Sequence, residues 1–188
     1  MRDFQTSDSS TEHFPPDSTE NFTPEFQAIL ESIQNNTANK IDIGRQFLGD
    51  NNAKALAGVL GNNTSLEELN LWSTKIGDTG AELISEMLKN NKTLKILNFY
   101  NNYIGVAGAQ ALAEALKVNK TLTKLFFREN KIGDVAAKAL TEALKVNETL
   151  TELDLSGNNF GDVAAQALAQ ALSENYTVLG LRMSPFNQ

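Results

Sequence analysis

The chain has 188 residues, 41% of them hydrophobic and 21% charged, with a formal net charge of −7; this fits one soluble globular domain and leaves too few basic residues for a binder of phosphate backbones. It contains no cysteine, which excludes disulfides, thiolate catalysis and zinc–thiolate sites and suits a reducing compartment. No stretch approaches the roughly 20 apolar residues of a membrane span, and the opening MRDFQTSDSSTEHFPPD lacks the apolar core of a secretion signal, so a cytosolic protein is expected.

In chain order, residues 1–23 are rich in Ser, Thr, Asp, Glu and Pro and predict a disordered tail. A capping helix is predicted over 24–37. Pro24 suits a first helical position, and Phe26, Ile29, Leu30 and Ile33 follow at helical spacing.

From residue 38 the chain repeats. Leu66 opens LEELNLWSTKIGD, Leu94 opens LKILNFYNNYIGV, Leu122 opens LTKLFFRENKIGD and Leu150 opens LTELDLSGNNFGD, each 28 residues after the last. Ala38 and Val178 fall in the same slot, so five full repeats start at 38, 66, 94, 122 and 150, and a truncated one starts at 178. The first half of each repeat alternates apolar and polar residues and predicts a short strand. The second half, such as GAQALAEALKVN from Gly108, carries one apolar stripe and predicts a helix. Gly77, Gly105, Gly133 and Gly161 mark the turn between the halves. Asp78, Asp134 and Asp162 suit a turn or a helix N-terminus, and Val106 breaks that series. Asn63, Asn91, Asn119, Asn147 and Asn175 recur where the helices end, a place where Asn tolerates the left-handed conformation. Each also heads an N-x-S/T pattern, read as structural in a chain without a secretion signal.

The consensus LxxLxLxxNxIG, followed by a helix and repeated in register, resembles the ribonuclease-inhibitor type of leucine-rich repeat over roughly residues 38–183. The resemblance implies an α/β solenoid: a curved horseshoe or arc, with parallel strands on the concave face and helices on the convex face. Members of that family include ribonuclease inhibitor, the activator of the Ran GTPase, the sensing region of innate immune receptors and the actin-binding domain of tropomodulin. Repeats of this look also occur among effectors that intracellular bacteria deliver into host cells. The family's consensus Asn bonds loop backbone groups. Here it is Asn102, Asn130 and Asn158, but Thr74 and Gln46 replace it in two repeats, where looser turns are expected. No C-terminal cap is recognisable, so the last strand, near Leu181 and Met183, is expected to be open to self-association.

Strand phase sorts the side chains. Leu69, Leu71, Leu97, Phe99, Leu125, Phe127, Leu153 and Leu155 point inward. The outward residues form three columns: Lys40, Glu68, Ile96, Lys124, Glu152 and Gly180; then Asp42, Asn70, Asn98, Phe126, Asp154 and Arg182; then Gly44, Trp72, Tyr100, Arg128, Ser156 and Ser184. Nothing in them looks catalytic. The single histidine, His13, falls in the tail, and Glu152 with Asp154 reads as a solvated acidic patch. No enzyme activity, cofactor or metal is expected. Trp72, Tyr100 and Arg128 are the residue types enriched at binding hot spots. With Phe126, Ile96, Asn70 and Asn98 beside them, and Asp154 at an acidic end, they form the expected site for a partner protein. Stacking of these side chains on one another is the competing reading. The expected function is non-enzymatic protein–protein interaction. The alternatives are a GTPase-activator-like or actin-capping-like regulator, or a secreted effector acting on a host protein; neither nucleic acid nor membrane is an expected partner.

Overall fold

The computed structural model describes residues 22–183. The expected tail, except Phe22 and Thr23, lies outside the described residues, as do His13 and the end of the truncated repeat. Helices and strands alternate: α1 Pro24–Gln34, β1 Lys40–Asp42, α2 Gly49–Leu60, β2 Glu68–Asn70, α3 Asp78–Asn90, β3 Ile96–Asn98, α4 Val106–Val118, β4 Lys124–Phe126, α5 Asp134–Leu144, β5 Glu152–Asp154, α6 Asp162–Glu174 and β6 Gly180–Arg182. All six strands form one parallel sheet in chain order. Its register is the sequence period itself: Leu69 pairs with Leu97, and Leu97 with Leu125. Parallel neighbours need a crossover, and each crossover here is a helix. Strands stack about 4.8 Å apart while helices need about 8–10 Å. That mismatch puts the strands on the inside of an arc, an α/β leucine-rich-repeat solenoid.

The core is built of columns. Leu66, Leu94, Leu122 and Leu150 are fully buried, as are Leu69, Leu97, Leu125 and Leu153 behind the strands, and Leu71, Phe99, Phe127 and Leu155 beside them. From the helices, Leu56, Ile84, Leu112, Leu140 and Leu168 close the other side. One repeat cannot enclose its own apolar face, so the core exists only through stacking. At the N-terminal end Thr23 caps α1, its Oγ1 accepting the Phe26 N–H at 3.2 Å, and α1 packs on α2 with Phe26 and Ile33 buried.

Two ladders of buried asparagine tie the repeats together. At the helix ends, Asn119 Oδ1 accepts the N–H groups of Thr121 and Leu122 at 2.9 and 2.7 Å, while its Nδ2 donates to Leu88 O of the previous repeat at 2.7 Å. Asn63, Asn91, Asn147 and Asn175 make the same set of bonds. The expected left-handed backbone is not found there: Asn91, Asn119 and Asn175 are extended, with ψ of 133°, 131° and 113°. Asparagine is required for its side chain instead, because only an amide both accepts the local N–H groups and donates across the repeat boundary. Left-handed residues occur elsewhere, among them one after each of β1 to β5: Arg45, Ser73, Asn101, Glu129 and Gly157, with φ between 52° and 68°.

The consensus asparagines form the second ladder. Asn102 Nδ2 donates to Leu71 O at 2.8 Å and Phe99 O at 3.0 Å, and its Oδ1 accepts the Ile76 N–H at 3.0 Å. Where Thr74 replaces it, the turn does not loosen. Thr74 Oγ1 donates to Leu71 O at 2.8 Å, and the N–H groups of Leu48 and Gly49 both reach Thr74 O at 3.1 Å. A backbone carbonyl has taken over the role of the missing amide oxygen. Gln46 takes no such part, for its side chain is exposed.

Candidate partner-binding site

The concave face is set by β2, β3 and β4, which lie side by side with Asn70 opposite Asn98 and Asn98 opposite Phe126. Asn70 Oδ1 accepts the Trp72 N–H at 3.3 Å and Asn98 Oδ1 the Tyr100 N–H at 2.9 Å. Asp42 and Asp154 do the same for Gly44 at 2.8 Å and Ser156 at 3.0 Å. The second outward column is therefore mainly a row of turns that bend the chain just after each strand and aim the third column. Phe126 and Arg182, whose side chains carry no acceptor, break the row.

In the third column the rings of Trp72 and Tyr100 stack, 6.3 Å between centroids and 6° from parallel. Cations close both ends. The Arg45 guanidinium lies 4.4 Å from the Trp72 ring centre, and that of Arg128 lies 5.5 Å from the centre of Tyr100. Arg128 also pairs with Glu129 at 2.9 Å, and this hydrogen-bonded carboxylate raises its pKa above the ordinary arginine value. Stacking and exposure coexist here: Trp72 and Tyr100 are half-buried, Arg128 exposed. Arg45 went unread in the sequence because it sits one residue beyond the outward column; its left-handed backbone, φ 63°, swings it back over the indole. Gly44 is the floor. A Cβ built there would fall 1.8 Å from the indole Nε1, so only glycine leaves room for Trp72.

The first column pairs charges across strands. Lys40 meets Glu68 at 2.8 Å, and that hydrogen bond raises the Lys40 pKa; Lys124 meets Glu152 at 3.1 Å, with Arg182 at 3.9 Å on the other side. Ile96 sits half-buried between the two pairs. The solvated acidic patch expected at Glu152 and Asp154 is thus absent. Glu152 is neutralised, and Asp154, only 7% exposed, spends an oxygen on the Ser156 N–H. Trp72, Tyr100, Arg128, Ile96, Asn70, Asn98 and Phe126 share one surface, whereas Asp154 is folded into its turn.

Among the described residues no group of three or more His, Cys, Asp or Glu side chains could hold a metal ion, and no helix is long and apolar enough to cross a membrane. A groove of about 550 Å³ lies between α5 and α6, lined by Ala164, Ala167 and Ala171 with Lys138, Glu142 and Glu174 at its edges. It is on the convex side, away from the aromatic stack.

Stacked parallel strands, crossover helices and a strand-lined aromatic face define a leucine-rich-repeat domain. Residues 50–132 match the TMOD/LMOD leucine-rich domain family, a span that holds Trp72, Tyr100, Phe126 and Arg128, and residues 146–169 match the leucine-rich-repeat family. Among solved structures, the chain is similar to leiomodin-1 actin-binding site 2, with TM-score 0.69 and 28% identity, covering 80% of this chain and 88% of that one. It shares its fold with the tropomodulin C-terminal domain of Caenorhabditis elegans, with TM-score 0.66 and 17% identity over 81% of this chain and 93% of that one. No curated protein sequence matches the chain. The leucine-rich-repeat resemblance holds, and the likeness is to the tropomodulin and leiomodin type, not specifically to the ribonuclease-inhibitor type; a bacterial effector is not what these matches name.

Proposed function

We propose that this chain is a non-enzymatic, cytosolic actin-binding module whose contact is the concave surface of Trp72, Tyr100, Phe126 and Arg128, with Ile96, Asn70 and Asn98 beside them. The observation that carries it is the 28% identity to leiomodin-1 actin-binding site 2 across most of both chains. This favours actin over the GTPase-activator and effector alternatives, for which the likeness offers nothing. Asp154 is left out because it is only 7% exposed as well as bonded to its own turn, whereas Asn70 and Asn98 are half-buried. The stack suits a binding face: its rings and cations are held in place by one another, so little side-chain freedom remains to be lost on association.

Cosedimentation with filaments and inhibition of filament elongation test the proposal. The wild type is expected to bind actin. Trp72→Ala combined with Arg128→Asp is expected to weaken that binding by about tenfold or more, as loss of hot-spot residues does. Loss within about twofold overturns the assigned face. No binding by the wild type to monomer or filament overturns actin as the partner.

A further inference from the structure

A second column runs beside the first. Positions 47, 75, 103 and 131 are 28 residues apart and lie on the loops that leave β1 to β4. They hold Phe47, Lys75, Tyr103 and Lys131, again aromatic rings alternating with cations. Phe47 is 64% and Tyr103 53% exposed. Lys75 Nζ stands 5.8 Å from the Phe47 ring centre and Lys131 Nζ 5.0 Å from that of Tyr103. The loop backbone is pinned inward, the Tyr103 N–H to Ile76 O and the Lys131 N–H to Ile104 O, each at 2.8 Å. A hydrogen-bonded pair, Asn101 Nδ2 to Ser73 Oγ at 3.1 Å, lies between this rim and the Trp72–Tyr100 column.

Together the columns make a strip of four rings and four cations, Arg45, Lys75, Arg128 and Lys131, on a protein whose net charge is −7. Three carboxylates on the adjoining loops and helix starts already have partners. Glu129 is held by Arg128, while Asp50 and Asp78 accept backbone N–H groups of Gly77, Gly80, Gly105 and Gly108. Among the described residues no carboxylate forms an ion pair with Arg45 or Lys131.

We infer that this loop rim is a docking surface for an acidic, extended segment of a protein partner, continuous with the concave contact and resting on the reading of that face as a protein-binding site. The geometry suits such a segment. Lys75 and Lys131 are two repeats apart, about 10 Å at strand spacing, which three residues of extended chain span. The exposed rings of Phe47 and Tyr103 offer apolar contact between carboxylates, and Ser73 and Asn101 offer hydrogen bonds to a peptide backbone. A nucleic acid is the poorer fit. Its affinity needs many phosphate contacts, and an acidic molecule repels a long polyanion.

The single tryptophan, Trp72, lies in the strip and reports on it. The probe is a capped peptide of about six Asp and Glu residues, long enough at ~3.3 Å per residue to cross the rim. A Lys peptide of equal length and a single-stranded DNA oligonucleotide of equal charge serve as controls. The acidic peptide is expected to change Trp72 emission saturably at low ionic strength and to bind more weakly as salt is added. Tyr103→Ser with Lys131→Glu, both at exposed positions, is expected to weaken it at least about fivefold with the melting temperature retained. Absence of saturable peptide binding, wild-type affinity in the double variant, or tighter binding of the oligonucleotide would each overturn the inference. Actin cosedimentation of the same proteins separates the two claims. If the wild type binds actin and not the peptide, only the rim inference fails; if it binds the peptide and not actin, only the actin assignment fails.

Discussion

The carboxylate of Asp78 accepts the N–H of Gly105, 27 positions later, at 2.7 Å. It therefore caps the helix of the next repeat rather than its own, and it takes the Gly108 N–H as well at 2.9 Å. Asp50 does the same for Gly77 and Gly80 at 2.8 and 3.0 Å, and Asp134 takes Gly161 alone at 2.7 Å. The glycines in the first turns of α3 and α4 follow from this. A Cβ at Gly80 or Gly108 would fall 2.7 or 2.9 Å from the incoming carboxylate oxygen. Ala136 and Ala164 take that place in α5 and α6, where no second bond is made.

Val106 stands where the carboxylate for α5 would be, and it is 37% exposed. The Val106→Asp variant is expected to restore the cap on Gly133. That gains about 1 kcal/mol, as helix caps do, and raises the melting temperature by roughly 2–4 °C for a chain of this size. Scanning calorimetry of the two proteins decides it, and an unchanged or lower midpoint would show that the aspartates do not act through their neighbours' helices.

Ser85, in α3, is fully buried and its Oγ has no hydrogen-bond partner. The next repeat has Ala113 in the same slot, and the one after has Thr141, whose Oγ1 donates to Ala137 O at 2.9 Å. Ser85→Ala removes an unpaired polar atom and leaves a side chain the neighbouring repeat already accommodates. It is expected to stabilise the fold by about 1 kcal/mol in urea unfolding. A destabilised variant would mean that the hydroxyl is satisfied after all.

Asn119→Ala leaves the Thr121 and Leu122 N–H groups and the Leu88 carbonyl without their side-chain partner at a buried repeat boundary. Each buried group left unpaired costs about 1–3 kcal/mol, so a loss of at least ~3 kcal/mol is expected. Because the amide joins two repeats, the transition should also broaden as they uncouple. Denaturant curves read by circular dichroism measure both; a loss under ~1 kcal/mol would reduce the ladder to a surface ornament.

Gly44→Ala puts a methyl group where the Trp72 indole lies. The indole must leave Gly44, and with it the guanidinium of Arg45 and the ring of Tyr100. Emission from the sole tryptophan is expected to shift to the red, and partner affinity to fall about as far as in Trp72→Ala. Unchanged emission would mean that the indole does not rest on Gly44 in solution.

Much of this was legible in the chain before folding. A fixed 28-residue period with strand alternation in one half and a helical stripe in the other determines which residues point inward, because side-chain direction depends only on local backbone geometry. The inward set from Leu69 to Leu155 and the outward column of Trp72, Tyr100 and Arg128 follow from that alone. Folding decided what those residues meet. Asp78 reaches Gly105, Asn119 reaches Leu88, Arg45 covers Trp72 and Arg182 helps neutralise Glu152. All four join one repeat to the next and are distant in sequence; their partners exist only once the repeats stack. Even the stack of Trp72 on Tyr100 needed its two strands brought into register, since neither ring's neighbour is encoded in its own repeat.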